Sequence, residues 1–295
     1  MLETVREFGR LRLADTGEEK AARSALRQWA IGYALRHGER TLGREQFAAI
    51  DALRAEETSL ADELRAAIAD GDRRALVQLH AALGLYWTLR GEHLRMLVLA
   101  QAVTEALRDW EPPPDVAGET RAVVAITLSN LLMTRAESDP SLTEALRRLG
   151  PGGGDDAYQS RLPGLVRVLL AFDPGDEDVS RRRLERLAAD GDRATAVTAC
   201  QWLGQLRENS GDPDGAMRTA ERTLELTRDE DGPWASAMPH SLLAELSMQT
   251  GDREAAVRHA RAALPTMVRL GAAAARTSTG SPARSGPRPP TRTAR

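Results

Sequence analysis

The chain has 295 residues, with 40 basic and 43 acidic side chains and a formal net charge of −3. That balance argues against a chain built as a whole to hold a polyanion, and the length suits one long repeat array or two ordinary domains. Hydrophobic residues supply 42% of the sequence and aromatics only 4%, so the core must come from Leu, Ala and Val, a composition that suits close-packed helices better than strands.

Apolar residues recur at helical spacing along most of the chain. The spacing predicts helices over 2–14, 19–38, 43–69, 73–90, 93–110, 118–136, 140–149, 161–172, 177–189, 193–209, 213–228, 235–249 and 253–270. The first is amphipathic, with Val5, Phe8 and Leu11 expected inward. In the fourth, Leu76, Leu79, His80, Leu83 and Trp87 share one face. Glu111 and the prolines that follow it cannot continue a helix and read as a linker. The stretch 150–156, rich in Gly, reads as a flexible loop. Further on, Val197, Leu203 and Leu206 mark one face, Met217, Ala220 and Leu224 another, and Val257, Ala260 and Leu264 a last one. From residue 272 the sequence turns to Thr, Ser, Gly, Pro and Arg without apolar periodicity, the composition of a disordered tail. The abruptness of that change fits a frameshifted or truncated end.

One local signal recurs. An apolar helical run ends in Gly followed by an acid at Gly71-Asp72, Gly91-Glu92, Gly191-Asp192, Gly211-Asp212 and Gly251-Asp252. Gly takes the left-handed conformation that closes a helix, and the acid accepts from the free N–H groups that open the next one. Pro213 fits the first helical position, where no N–H is needed. The last two turns lie 40 residues apart, and around them Ala216, Arg218, Ala220 and Leu224 match Ala256, Arg258, Ala260 and Leu264. A fixed period of this size is the mark of stacked helix hairpins.

These segments resemble tetratricopeptide (TPR) repeats, which carry Leu-Gly in a first helix, a turn Gly eight residues past the Leu and an Ala five residues beyond the turn. Leu203-Gly204, Gly211 and Ala216 satisfy the pattern; Leu83-Gly84, Trp87 and Gly91 satisfy its first half, with Met96 in place of Ala; Leu243-Ala244, Gly251 and Ala256 fit with Ala for Gly. Ala100, Ala220 and Ala260 replace the second-helix aromatic, and 111–190 carries no clear match. The expected fold is therefore all-α, TPR-like antiparallel helix-hairpin repeats forming an α-solenoid.

The N-terminal run from Met1 to Phe8, with Leu11, Leu13 and Thr16-Gly17-Glu18, resembles the segment that ends the winged-helix part of AfsR/SARP-type bacterial transcriptional regulators and leads into their helical array. Phe47, Ile50, Leu53, Glu56, Leu60 and Leu64, and then Leu85 to Gly91, extend the resemblance. It implies a truncated chain: a remnant of the winged-helix junction and lead-in helices at 1–40, a first repeat block at 41–110, a Pro-rich linker at 111–118, degenerate repeats at 119–271 and the tail at 272–295. It also implies a non-enzymatic sensor or interaction module of a transcriptional regulator. The other readings are a stand-alone DNA-binding regulator and a generic TPR scaffold.

The sequence offers no catalytic alternative. Lys20 is the single lysine, with no phosphate-cradling Gly-rich loop around it. The glycines at 152–154 precede Asp155-Asp156, whose charges oppose a phosphate. No two of His37, His80, His93, His240 and His259 share a local spacing that presents paired metal ligands. His80 reads as a packed histidine, and Glu56 and Glu57 occupy adjacent helical positions that point apart. The arginine-bearing tail and Arg181-Arg182-Arg183 read as solvated surface. The lone cysteine, Cys200, forms no internal disulfide and reads as a small buried residue in a reducing compartment. No signal peptide and no membrane span are expected, so the location expected is cytoplasmic. No cofactor is implied. The expected partner is a protein or peptide, including an ATPase or DNA-binding domain of the same family, with no membrane and no specific nucleic acid. The candidate contact residues, on the inner face of the first helices, are His80, Leu83, Trp87, Gln201, Gln205, His240 and Glu245.

Overall fold

The structure is a computed structural model that describes residues 3–137, 139–152, 161–173 and 175–271. Among these, the regular structure is entirely helical, with no strand. The first half runs α1 (Glu3–Thr16), α2 (Glu19–Gly38), α3 (Gln46–Ala55), α4 (Glu57–Ala69), α5 (Arg73–Leu89), α6 (His93–Leu107) and α7 (Ala117–Met133). The second runs α8 (Pro140–Leu149), α9 (Leu162–Ala171), α10 (Glu177–Ala188), α11 (Arg193–Ser210), α12 (Pro213–Leu226), α13 (Pro233–Thr250) and α14 (Arg253–Leu270). The loop expected at 150–156 and the tail at 272–295 lie partly or wholly outside the described residues.

The turn chemistry read from the sequence operates almost throughout. Gly71, Gly91, Gly211 and Gly251 all have positive φ. The carboxylates of Asp72, Asp192, Asp212 and Asp252 accept from the backbone N–H three residues on, at 2.8–3.2 Å. Two turns depart from the scheme. Gly191 has no positive φ, because α10 ends earlier, at Ala188, and the Asp190 carboxylate takes the Asp192 N–H at 2.8 Å. Glu92 makes no cap; its longer side chain is held sideways by Arg90 at 2.8 Å and Arg95 at 2.6 Å. The helix expected over 43–69 is broken at Glu56 into α3 and α4. The hydroxyl of Tyr33 donates to the Ala52 carbonyl at 3.0 Å and so satisfies an acceptor near the end of α3.

α5 is the centre of the N-terminal half. α2, α4 and α7 pack around it, and its expected face (Leu76, Leu79, His80, Leu83, Trp87) is buried together with most of the rest of the helix. Within the segment 111–118, Pro114–Val116 forms a 3-10 turn with Val116 fully buried, while Glu111, Pro113, Pro114 and Asp115 are exposed. One apolar cluster runs from Ala30 on α2 through α5 and α7 to Leu169 on α9. The stretch Pro114–Met133, where no span was expected, is long and apolar enough to cross a membrane by length and composition, yet 72% of its apolar window lies buried in the fold.

In the second half, α11 pairs with α12 and α13 with α14, while α11 also packs on α9 and α10, and α13 on α12. Small residues make these approaches close. Gly164 on α9 lies so near α11 that a Cβ there would sit 3.0 Å from the Cα of Thr195. Ala196, Ala199, Ala216 and Ala220 are buried between α11 and its neighbours, and Ala237, Ala256 and Ala263 between α13 and α14.

Two expected apolar faces are turned outward. Val257 and Leu264 are exposed, with Ala260 between them, and α14 buries Ala255, Ala256, Ala263, Met267 and Leu270 instead. α14 has α13 on one side and no later described helix on the other, so one of its two apolar stripes is left in solvent. Phe8 and Leu11 are exposed in the same way on α1, which has α2 as its principal neighbour.

The last hairpin returns to the beginning of the chain. The Gln46 side chain, fully buried, donates to the Thr41 carbonyl at 2.6 Å and accepts from the Trp234 N–H at 2.8 Å. Gly232 is pressed against the Gly43 backbone. At the far end of α14, Arg269 pairs with Asp51, its carbonyl accepts from Arg54 at 3.3 Å, and its guanidinium lies 5.7 Å from the Phe47 ring centre. Leu270 is buried in the N-terminal core.

Candidate functional site

The seven candidate contact residues fall into two groups. His80, Leu83 and Trp87 are 0%, 0% and 2% exposed and present nothing to a partner. The reason is that α5 is covered by other helices on all sides, so its inner face is core. Gln205 and Glu245 are exposed, and Gln201 and His240 are half-buried. These four lie on α11 and α13, the first helices of two successive hairpins, and Gln205 donates to Glu208 at 2.9 Å.

His80 is the most unusual of the buried three. Neither ring nitrogen has a hydrogen-bond partner, and burial alone pushes its pKa down to about 4, so the ring is a neutral core side chain at pH 7. The polar ends around Trp87 are satisfied. Glu57, in the first turn of α4, accepts from Trp87 Nε1 at 3.0 Å and from the Tyr86 hydroxyl at 2.9 Å, and pairs with Arg95 at 3.2 Å. Burial, then the Glu57 carboxylate, pushes Tyr86 up to about 12. Tyr86 is thus held protonated as a donor.

A second polar knot fastens the hairpins. Asp231, nearly buried, takes Arg161 at 2.7 Å, Arg193 at 2.6 Å and the Arg228 N–H at 2.8 Å. Burial by itself raises an acid's pKa, but Arg193, the Arg228 N–H and Arg161 outweigh it and hold Asp231 below the ordinary carboxylate range. Its ligands come from the start of α9, the start of α11 and the α12–α13 connection, so it ties three pieces of chain together.

An open cleft of about 280 Å³ between α6, α7 and α8 is lined by Leu107, Trp110, Pro112, Val124, Ala145 and Leu149, with Glu111, Thr120 and Arg148 also lining it, and it holds no nucleophile paired with a base. Cys200 is buried, and burial pushes its thiol pKa up, away from the reactive thiolate. Among the described residues, no group of three or more His, Cys, Asp or Glu side chains gathers as a metal site. The fold does bring two histidines together that local spacing keeps apart. Nδ1 of His240 on α13 faces Nδ1 of His259 on α14 at 3.0 Å.

Three structural residues were missed in the sequence: Glu57, Asp231 and His259. Each acts on a partner 19 to 70 residues away in the chain. The one available signal was the hairpin itself, because antiparallel helices joined by the turn at Gly251 bring 240 and 259 to similar levels.

No family model matches the sequence, and no curated protein and no solved structure shows significant similarity to it.

Proposed function

We propose that this chain is a non-enzymatic interaction module: a TPR-like α-solenoid of the kind that forms the sensor region of AfsR/SARP-type transcriptional regulators, working in the cytoplasm. The observation that carries this reading is the succession α9/α10, α11/α12 and α13/α14, in which each new hairpin packs on the one before it. Helix pairs stacked in that order generate an extended surface along their first helices, because each adds a small rotation. Gln201 and Gln205 on α11 and Glu245 on α13 stand on that surface and offer amide and carboxylate groups to a peptide or protein domain. A winged-helix–ATPase segment of such a regulator is the partner that the N-terminal resemblance favours.

The test is calorimetric titration of the purified chain with that segment from a regulator of this type. Binding is expected, weakened about tenfold or more, roughly 1.4 kcal/mol, in a Gln201→Ala/Gln205→Ala/Glu245→Ala triple variant. ATP turnover by the chain alone, or a specific mobility shift of promoter DNA at moderate salt, overturns the reading. The second result points to a stand-alone DNA-binding regulator.

A further inference from the structure

We propose that His240 and His259 form a two-histidine chelate across the last hairpin for a divalent late-transition-metal ion, Cu2+ or Ni2+. Imidazole suits both metals, and both accept square-planar or octahedral sites in which the protein supplies some positions and water the rest. The donor spacing matches such a site; the ring centres lie 5.2 Å apart, so the two Nδ1 atoms point nearly at each other and each ring has to turn to aim at a shared ion. With metal–nitrogen bonds of about 2.05 Å, donors 3.0 Å apart subtend about 94° at the metal. That is the cis angle of a square-planar or octahedral ion, whereas a tetrahedral ion needs donors about 3.4 Å apart.

The site is built on a stiff support. α13 and α14 are packed along their length, with Ala237 and Ala263 buried in one cluster, so the helices fix the spacing of the two histidines while the side-chain torsions let the rings turn. Both are half-buried, which leaves one side open to a metal and its remaining water ligands. Without metal, one Nδ1–H donates to the other Nδ1. To bind, the donor ring moves its proton from Nδ1 to Nε2, so that both Nδ1 lone pairs face the ion and no net proton is released. The charged groups that act on His259 are Glu221 of α12 and Asp252 at the start of α14, which favour a cation there, and Arg258, which opposes it. The pair does not depend on the proposed function.

Titrating the full chain with Cu2+ tests the site, read by calorimetry and by electron spin-echo modulation, which counts bound imidazoles through their remote nitrogens. One ion per chain coupled to two imidazoles is expected. H240Q and H259Q should each weaken binding at least about tenfold, since loss of even an outer-shell partner of a metal ligand costs 10–100-fold, with unchanged far-UV circular dichroism. H37Q should bind like the wild type. A modulation pattern with fewer than two imidazoles in the wild-type protein overturns the proposal, and so does an isotherm that is the same for the double variant H240Q/H259Q. The spin-echo reading on the wild type decides the matter even if a variant fails to fold.

Discussion

Replacing His80 by Leu tests the core of α5 most sharply, because two separate consequences follow from one substitution. The imidazole is completely buried and both nitrogens lack partners. An unsatisfied buried polar group costs about 1–3 kcal/mol, and Leu fills a similar volume without that cost, so the variant should be more stable at pH 7 by about 1 kcal/mol or more. The second consequence is in the pH dependence. His80 has a folded pKa of about 4 against the ordinary 6.5, so between those values the unfolded chain binds the proton and the folded chain does not. Stability tied to the neutral ring is therefore present above about pH 6.5, is lost as pH falls toward about 4, and changes no further below it. The full loss is about 3 kcal/mol at 1.36 kcal/mol per pKa unit, of which about 2 kcal/mol falls between pH 7 and pH 5. Urea unfolding followed by circular dichroism at both pH values gives the comparison, since all other titrating groups are common to the two proteins. The wild type should lose about 2 kcal/mol more than His80→Leu. Parallel losses, or a variant less stable at both pH values, would refute the reasoning.

Three further outcomes are expected. Asp231→Ala leaves Arg161 and Arg193 partly buried without their carboxylate and should cost about 3 kcal/mol or more in urea unfolding at pH 7. The Asp231 contribution in the wild type should fade as pH drops through its lowered folded pKa, because the depressed carboxyl stabilises only while ionised. Gly164→Ala and Gly204→Ala should differ in sign. The first drives a methyl against the Thr195 backbone at 3.0 Å and should lower the melting temperature, at about 1–3 kcal/mol. The second comes no nearer than 3.4 Å to any neighbour, the Leu242 side chain, an ordinary contact, and should be neutral or stabilising by up to about 1 kcal/mol. Asp252→Ala removes the acceptor of the Ala255 N–H and should cost about 1 kcal/mol. Asp252→Asn should recover most of it, and equal losses in the two variants would show that the cap is not the cause.

The helices and their turns were legible because both are local. Apolar spacing is a property of a dozen consecutive residues, and a Gly-Asp turn closes one helix and opens the next within five. The one broken helix has a cause that is not local. The break at Glu56 follows from side chains of other helices, Tyr33 taking the Ala52 carbonyl and Tyr86 and Trp87 taking Glu57. The candidate surface was less legible. Spacing alone marks Leu83 and Val257 alike as one apolar face of a helix. The first is sealed in the core and the second is half in solvent.

By itself, the sequence determined an all-helical chain, the limits of nearly every helix, four of the five left-handed turn glycines and the aspartate caps. Each of these is decided by hydrogen bonds and side-chain spacing within a few residues. Only the tertiary structure decided that α5 is covered on every side, that Asp231 gathers Arg161 and Arg193, that His240 meets His259, and that the last hairpin is seated on Gln46 and Asp51. Those contacts join residues as much as 218 positions apart, and their geometry is set by how all the intervening helices stack, which no local pattern encodes.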